Sequence, residues 1–247
     1  MKKVLFTLFI IIAFTINLRA LNIGAPNPYI YNNILHLGVM DSGVGYKFLH
    51  KKLEVSAGIN PLPFFLSSYG IKDFISFNST GNFFIKRNFS IFGGIHYLSY
   101  KGEDYLKDNL NEKLKDIIVI KDLELNFNAF EVYAGVMKRF SFMDLWGYIS
   151  YISFKPEHYN HENSVKFGIG SKKDFRLLFY KAISYLTLNY DTNTANFIAT
   201  FSLDNKFSNM IGLKIGVIYP GLSVNVGKKI DIPVLPVIDL YVELLKF

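Results

Sequence analysis

The sequence contains no cysteine. That excludes disulfides, thiolate metal sites, cysteine nucleophiles and a lipid-modified N-terminal cysteine. It also suits a chain bound for an oxidising compartment, where stray thiols are a liability. Charged residues make up only 19% of the chain and half of it is apolar, which is too apolar and too lightly charged for a disordered protein. After residue 20 the longest purely aliphatic run is Ile117 to Ile120, so no transmembrane helix follows. Gly-x-Ser-x-Gly, a phosphate-binding loop and a dinucleotide fingerprint are all absent from the sequence. Arginine is scarce: 4 of the 27 basic residues, the remainder being lysine.

At the N-terminus, Lys2 and Lys3 precede an apolar run from Val4 to Ile16 broken only by Thr7 and Thr15. Asn17-Leu18-Arg19-Ala20 follows. Basic, apolar and short polar regions in that order predict a secretory signal peptide over residues 1–20, cleaved between Ala20 and Leu21. The run is too short to span a bilayer as an anchor, which needs about 20 residues. Residues 21–247 are then read as one domain. Its formal charge is +4, from +7 less Lys2, Lys3 and Arg19. The excess is scattered along an exported chain, which argues against nucleic acid as a partner.

A chain this apolar with no long run has spread its apolar residues in alternation, and alternation is the mark of β-structure. Leu53, Val55, Ala57 and Ile59 alternate with Glu54, Ser56 and Gly58. Leu186, Leu188 and Tyr190 alternate with Thr187, Asn189 and Asp191. Val165, Phe167 and Ile169, and again Ile211, Leu213, Ile215 and Val217, repeat the pattern. Successive side chains of a strand point to opposite faces, so each segment is apolar on one side only. Turn signals fall between such runs at Asp41-Ser42-Gly43, Ser79-Thr80-Gly81, Asp191-Thr192-Asn193 and Asp204-Asn205-Lys206. The expectation is an all-β, antiparallel up-and-down meander of about 12 strands, with 10 to 14 as the range. Leu106, Leu110 and Leu114 recur every fourth residue, which predicts one short amphipathic helix over 102–118, in a loop or lying over the lumen.

A soluble sandwich and a membrane barrel both show alternation and turns. The export signal, 24 Phe and 16 Tyr against a single Trp, and a last strand ending in Phe247 favour the barrel. With this meander and that C-terminus the chain resembles bacterial outer-membrane β-barrel proteins. The resemblance implies a transmembrane barrel in outer-membrane lipid. It also implies a C-terminal strand read by the barrel-assembly machinery, with Tyr241, Leu245 and Phe247 as the recognised positions. Asp239 and Glu243 depart from that pattern, since they stand where it places apolar residues.

Chemical motifs are few. Glu157-His158-Tyr159-Asn160-His161-Glu162 has metal-ligand residue types but reads as a solvated loop, and no metal or other cofactor is expected. His96, with Ser90 and Ser99 near in sequence, is the one weak candidate for hydrolytic chemistry, against a plain lumen-facing histidine bonded to its neighbours. Lys47, Lys86, Lys166 and Lys214 share strand faces with small or polar residues. A lysine on the lipid face near the midplane costs roughly 2–4 kcal/mol, so these four are expected in the lumen or at a rim. A lumen of this kind is wet and mildly favourable to anions, unless side chains and the 102–118 helix fill it. The function expected is a small passive pore or a structural envelope component, not an enzyme. A barrel enzyme acting on lipid or envelope polymer, and a secreted soluble β-sandwich binding module, are the alternatives.

Overall fold

The computed structural model describes residue 28 and residues 34–38, 42–48, 52–59, 73–101, 127–156, 162–177, 180–193, 196–208, 210–219, 223–225, 229–231 and 235–246. The signal-peptide region, the 102–118 segment, His158, His161 and Phe247 lie outside the described residues.

The strands follow in chain order: β1 (Ile34–Gly38), β2 (Ser42–Phe48), β3 (Leu53–Ile59), β4 (Asp73–Lys86) and β5 (Phe89–Lys101). Next come β6 (Phe127–Arg139), β7 (Asp144–Pro156), β8 (Glu162–Leu177), β9 (Tyr180–Asp191), β10 (Asn196–Lys206) and β11 (Ile211–Tyr219). Two three-residue strands, β12 (Ser223–Asn225) and β13 (Lys229–Asp231), pair only with each other, and β14 (Leu235–Lys246) ends the series. From β1 to β11 each strand pairs antiparallel with the next, β11 pairs with β14, and β14 returns to β1. Twelve strands therefore close into a barrel with no free edge, which removes the row of unpaired amides an open sheet would carry.

The two ends of the barrel differ. At one end the connections are residues 49–52, 87–88, 140–143, 178–179 and 207–210, each of two to four residues. At the other, residues 60–72, 102–126 and 220–234 make long connections. The start of β1 and the end of β14 lie at the short-turn end, where Ile34 pairs with Lys246.

Alternation sets the two surfaces. Ile75, Phe77, Phe83 and Ile85 of β4, Ile91, Ile95 and Tyr97 of β5, and Phe130, Val132 and Val136 of β6 are all exposed. Leu145, Ile149 and Tyr151 of β7 and Leu186, Leu188 and Tyr190 of β9 continue the same outer face. On β6 the outward polar residues, Asn128 and Lys138, stand near its two ends. Tyr97, Tyr151, Tyr190 and Tyr219 all lie toward the long-connection end of their strands. Tyr46 of β2 is exposed toward the opposite, short-turn end, so the outer face is an apolar belt with tyrosine toward both rims, the pattern of a surface that meets hydrocarbon and headgroups.

Three turn expectations are corrected. Ser79-Thr80-Gly81 lies inside β4, because the facing pattern runs through it: Phe77, Ser79, Gly81 and Phe83 stay outside while Thr80 and Asn82 stay inside. Asp204-Asn205-Lys206 completes β10, and the turn comes after it. There Ser208 Oγ accepts from the Met210 and Ile211 amides at 3.1 and 3.0 Å. Ser42 and Gly43 of the signal at Asp41-Ser42-Gly43 likewise open strand β2. Small and polar residues signal turns in an isolated stretch, yet they also suit a strand whose inner face is polar.

Candidate functional site

Directly opposite residues on neighbouring strands share a face, so the register fixes what meets inside the lumen. His96 of β5 stands opposite Glu131 of β6, and the His96 Nδ1–H donates to Glu131 Oε2 at 2.8 Å. Both are buried, Glu131 with 0% of its surface accessible and His96 with 4%. The Tyr133 ring packs tilted against the imidazole, 4.9 Å between centroids, and the Tyr133 and Thr80 hydroxyls are bonded to each other. A buried carboxylate needs such partners, because charge removed from water without them costs several kcal/mol.

Toward the short-turn end, the same arc turns aromatic. Phe84, Phe92, Tyr133, Met137, Trp146 and Tyr148 form one buried cluster with Tyr185 against it. The cluster fits because glycines lie opposite the rings. Trp146 faces Gly170, Tyr148 faces Gly168, Phe92 faces Gly135 and Tyr133 faces Gly94. A Cβ built on Gly170 would fall within the indole of Trp146, and one on Gly168 within the ring of Tyr148. Each ring lies flat over the neighbouring strand in space that a side chain would otherwise fill. Tyr241 of β14 lies over Gly212 of β11 in the same way.

Charged pairs complete the lining. Lys166 Nζ is 3.5 Å from Asp191 Oδ2, and Asp191 Oδ1 also accepts from Ser164 Oγ at 2.6 Å. Lys206 Nζ donates to both Glu243 oxygens at 2.6 Å, and the Tyr241 hydroxyl donates to Asp204 Oδ1. Arg139 stacks 4.6 Å above Phe84 and approaches Asp144 at 3.9 Å, near the short-turn rim. Ser90, Ser150 and Asn189 bury polar atoms with no partner among the described residues, a situation ordinarily met by ordered water.

Of the lysines singled out in the sequence, Lys166 points inward and is buried. Lys214 is half-buried on the inner face, 6.0 Å above the Tyr185 ring. Lys86 is exposed at the last position of β4. Lys47 pairs through its backbone with Glu54, and its side chain lies outside the described residues. The expected tilt toward anions is corrected. Glu54, Glu131, Asp191, Asp204, Asp239 and Glu243 also line the interior, and Lys166 and Lys206 are held in ion pairs. Tyr241, placed by the resemblance among the assembly positions, is buried beside the lumenal acids, while Ile238 and Leu240 face outward. The phase then breaks by one residue, since Leu35 pairs with Leu244 but Ile34 with Lys246. This bulge falls at Leu245, whose side chain lies outside the described residues. The hydrolase candidates are not assembled: Ser99 lies on the opposite face of β5 from His96. Ser90 is six residues away, about 20 Å along a strand.

A closed antiparallel ring with every strand paired on both sides, an apolar exterior and a polar and aromatic interior defines a membrane-spanning β-barrel. Among the described residues no helix is long and apolar enough to cross a membrane. No protein-family model matches the sequence, and no curated protein matches it. Among solved structures, LpxR from Salmonella typhimurium is similar at a TM-score of 0.42 and 9% identity, over 94% of this chain and 95% of that one. An anion-selective porin from Comamonas acidovorans has a TM-score of 0.37 and 9% identity, over 82% of this chain and 56% of that one. The Pseudomonas putida toluene transporter TodX has a TM-score of 0.40 and 10% identity, over 84% and 68%.

Proposed function

We propose that this chain is an outer-membrane barrel whose lumen is filled by its own side chains. It serves as a structural element of the envelope and not as an open diffusion pore. One observation carries the reading: in the middle of β3 to β9 most inward side chains, polar and apolar alike, are buried. Met137 is 1% exposed, Asn82 1% and Ser150 2%. The lining of a water-filled channel would be bathed in solvent. Barrels of eight strands are filled by side chains and those of 16–18 leave a channel, so at twelve the size of the lining residues decides. Here they are Trp, Tyr, Phe and Met. The short turns face the periplasm and the long connections the exterior, as in outer-membrane barrels generally. Export by the 1–20 signal peptide and assembly through the C-terminal strand belong to the same reading.

The test is paired. Heat-modifiable migration in SDS gels establishes the folded barrel in the membrane fraction, because a closed hydrogen-bonded shell resists SDS until boiled. The same preparation is then placed in a planar bilayer. The expected result is a gel shift without steady conductance. A stable, ohmic conductance from gel-shifted protein would overturn the closed lumen. Recovery in the aqueous fraction without a shift would overturn the membrane assignment.

A further inference from the structure

We propose that Pro28, ahead of β1, is held inside the barrel as a strap, docked on the lumenal side chain of Asn82. The proposal rests on the closed-lumen reading and names one thing that occupies the lumen. Asn82 lies on the inner face of β4: it is opposite Phe92 of β5 and Glu54 of β3, both buried. Its amide Nδ2 donates to the Pro28 carbonyl at 3.2 Å, and Pro28 is itself fully buried. An atom bonded to an inward, 1%-exposed side chain is inside the barrel. Pro28 precedes Ile34, the first residue of β1, by six positions, a reach of at most about 20 Å. Asn82 stands four residues from the short-turn end of β4, three strands around the ring from β1. The contact therefore enters at the short-turn mouth and ties the start of the barrel to the wall a quarter of the way round the ring.

The chemistry fits the residues. Proline has no amide hydrogen, so its backbone brings an acceptor into the interior and no donor that would need burial. Asn82 supplies the matching donor. Its Oδ1 has no partner among the described residues, so the bond to Pro28 is the hydrogen bond seen for this side chain. Losing it would leave both amide atoms buried and unpaired, which is the costly case.

The absence of cysteine makes the test clean. Pro28→Cys is labelled with a membrane-impermeant maleimide in the folded, gel-shifted barrel and again after boiling. The expected result is protection when folded and rapid labelling when unfolded. In the pair Pro28→Cys with Asn82→Cys, oxidation should close a reducible 54-residue loop that changes migration even after boiling, whereas Pro28→Cys with the outward Phe83→Cys should not. Adding Asn82→Leu to Pro28→Cys should speed labelling of the folded barrel by up to about tenfold, the factor one buried hydrogen bond sustains. Folded protein that labels at the unfolded rate and forms no 28–82 crosslink would overturn the strap. If the double-cysteine barrel fails to fold, protection of Pro28→Cys alone decides. Wild-type conductance separates the two readings: a silent barrel with a freely labelled Pro28→Cys keeps the closed lumen and refutes the strap. A conducting barrel refutes the closed lumen whatever the crosslink shows.

Discussion

Gly170→Ala should destabilise the barrel through Trp146 alone. No unusual backbone angle is recorded at Gly170, so the glycine is there for space and not for conformational freedom. The new methyl group would land on the indole of Trp146, which is 3% exposed and hemmed in by Met137, Tyr148 and the β7–β8 wall. A flexible side chain could swing away, but this one is a rigid bicycle in a full interior. Overpacking of that kind costs about 1–3 kcal/mol. Trp146→Ala on its own removes the ring and should cost about 3–5 kcal/mol. In that background Gly170→Ala meets open space. It should then be neutral or stabilising by about 0.4–1 kcal/mol, because alanine restricts the unfolded chain. The coupling between the two sites is therefore roughly 1.5–4 kcal/mol, at or above the upper part of the range for touching residues. The assay is urea unfolding in detergent micelles, followed by loss of the fast-migrating folded band, which works with or without the tryptophan. Additivity within about 0.5 kcal/mol would refute the packing of Trp146 over Gly170 and with it the register between β7 and β8.

Other outcomes follow from the same geometry. Ile149→Lys or Ile169→Lys, on the outer belt, should each cost about 2–4 kcal/mol in lipid vesicles and much less in a soluble-sandwich fold, as read by equilibrium unfolding. His96→Leu should cost about 3–5 kcal/mol by stripping the Glu131 carboxylate of its imidazole. The double replacement His96→Leu with Glu131→Leu should recover most of that loss, and a double variant as unstable as the sum would refute a buried pair. Fluorescence of Trp146, the one tryptophan of the chain, should be insensitive to brominated acyl chains, whereas a tryptophan moved to 149 in a Trp146→Phe background should be quenched. Equal quenching at both positions would reverse the assignment of inner and outer faces.

Much of the architecture was legible because it rests on a period of two. The alternation in β3, β8 and β11 names the outward residues directly, and twelve ring strands agree with the expected number. Individual segments fared less evenly. The turn signal at Ser79-Thr80-Gly81 is crossed by one strand, β4, and β12 and β13 form a hairpin outside the ring. The interior was harder to read. In β7, Leu145, Ile149 and Tyr151 face out while Trp146, Tyr148 and Ile152 face in, so both faces are apolar and alternation carries no sign. The aromatic content argued for a membrane barrel, and part of the tyrosines stand toward its rims. That others fill the lumen depends on glycines 24 residues further along at Gly170 and 20 further at Gly168, which only the strand register brings opposite. His96 and Glu131 are likewise 35 residues apart and meet through pairing across the 102–126 connection. The bond between Asn82 and Pro28 spans 54 residues and has no sequence signature.

The proposed filled lumen also answers an energetic question peculiar to barrels in lipid. The outer apolar residues gain nothing from one another, because hydrocarbon surrounds them in any arrangement that remains in the bilayer. Closure of the hydrogen-bonded ring is one source of cohesion. The other is the interior, where Trp146, Tyr148, Phe92 and Tyr133 are packed at close range and withdrawn from water. Each of these rings lies over a strand next to its own, so the cluster ties β5, β6, β7 and β8 across their inner faces as well as along their edges. Opening a channel through this arc would require removing the side chains that hold its register. Conductance and stability are thus opposed here: variants that admit ions by truncating the cluster, such as Trp146→Ala with Tyr148→Ala, should unfold at lower urea in proportion to the packing lost. A variant of the cluster that conducts freely at full wild-type stability would show that the rings are ornamental to the fold, and that the lumen is closed by something else.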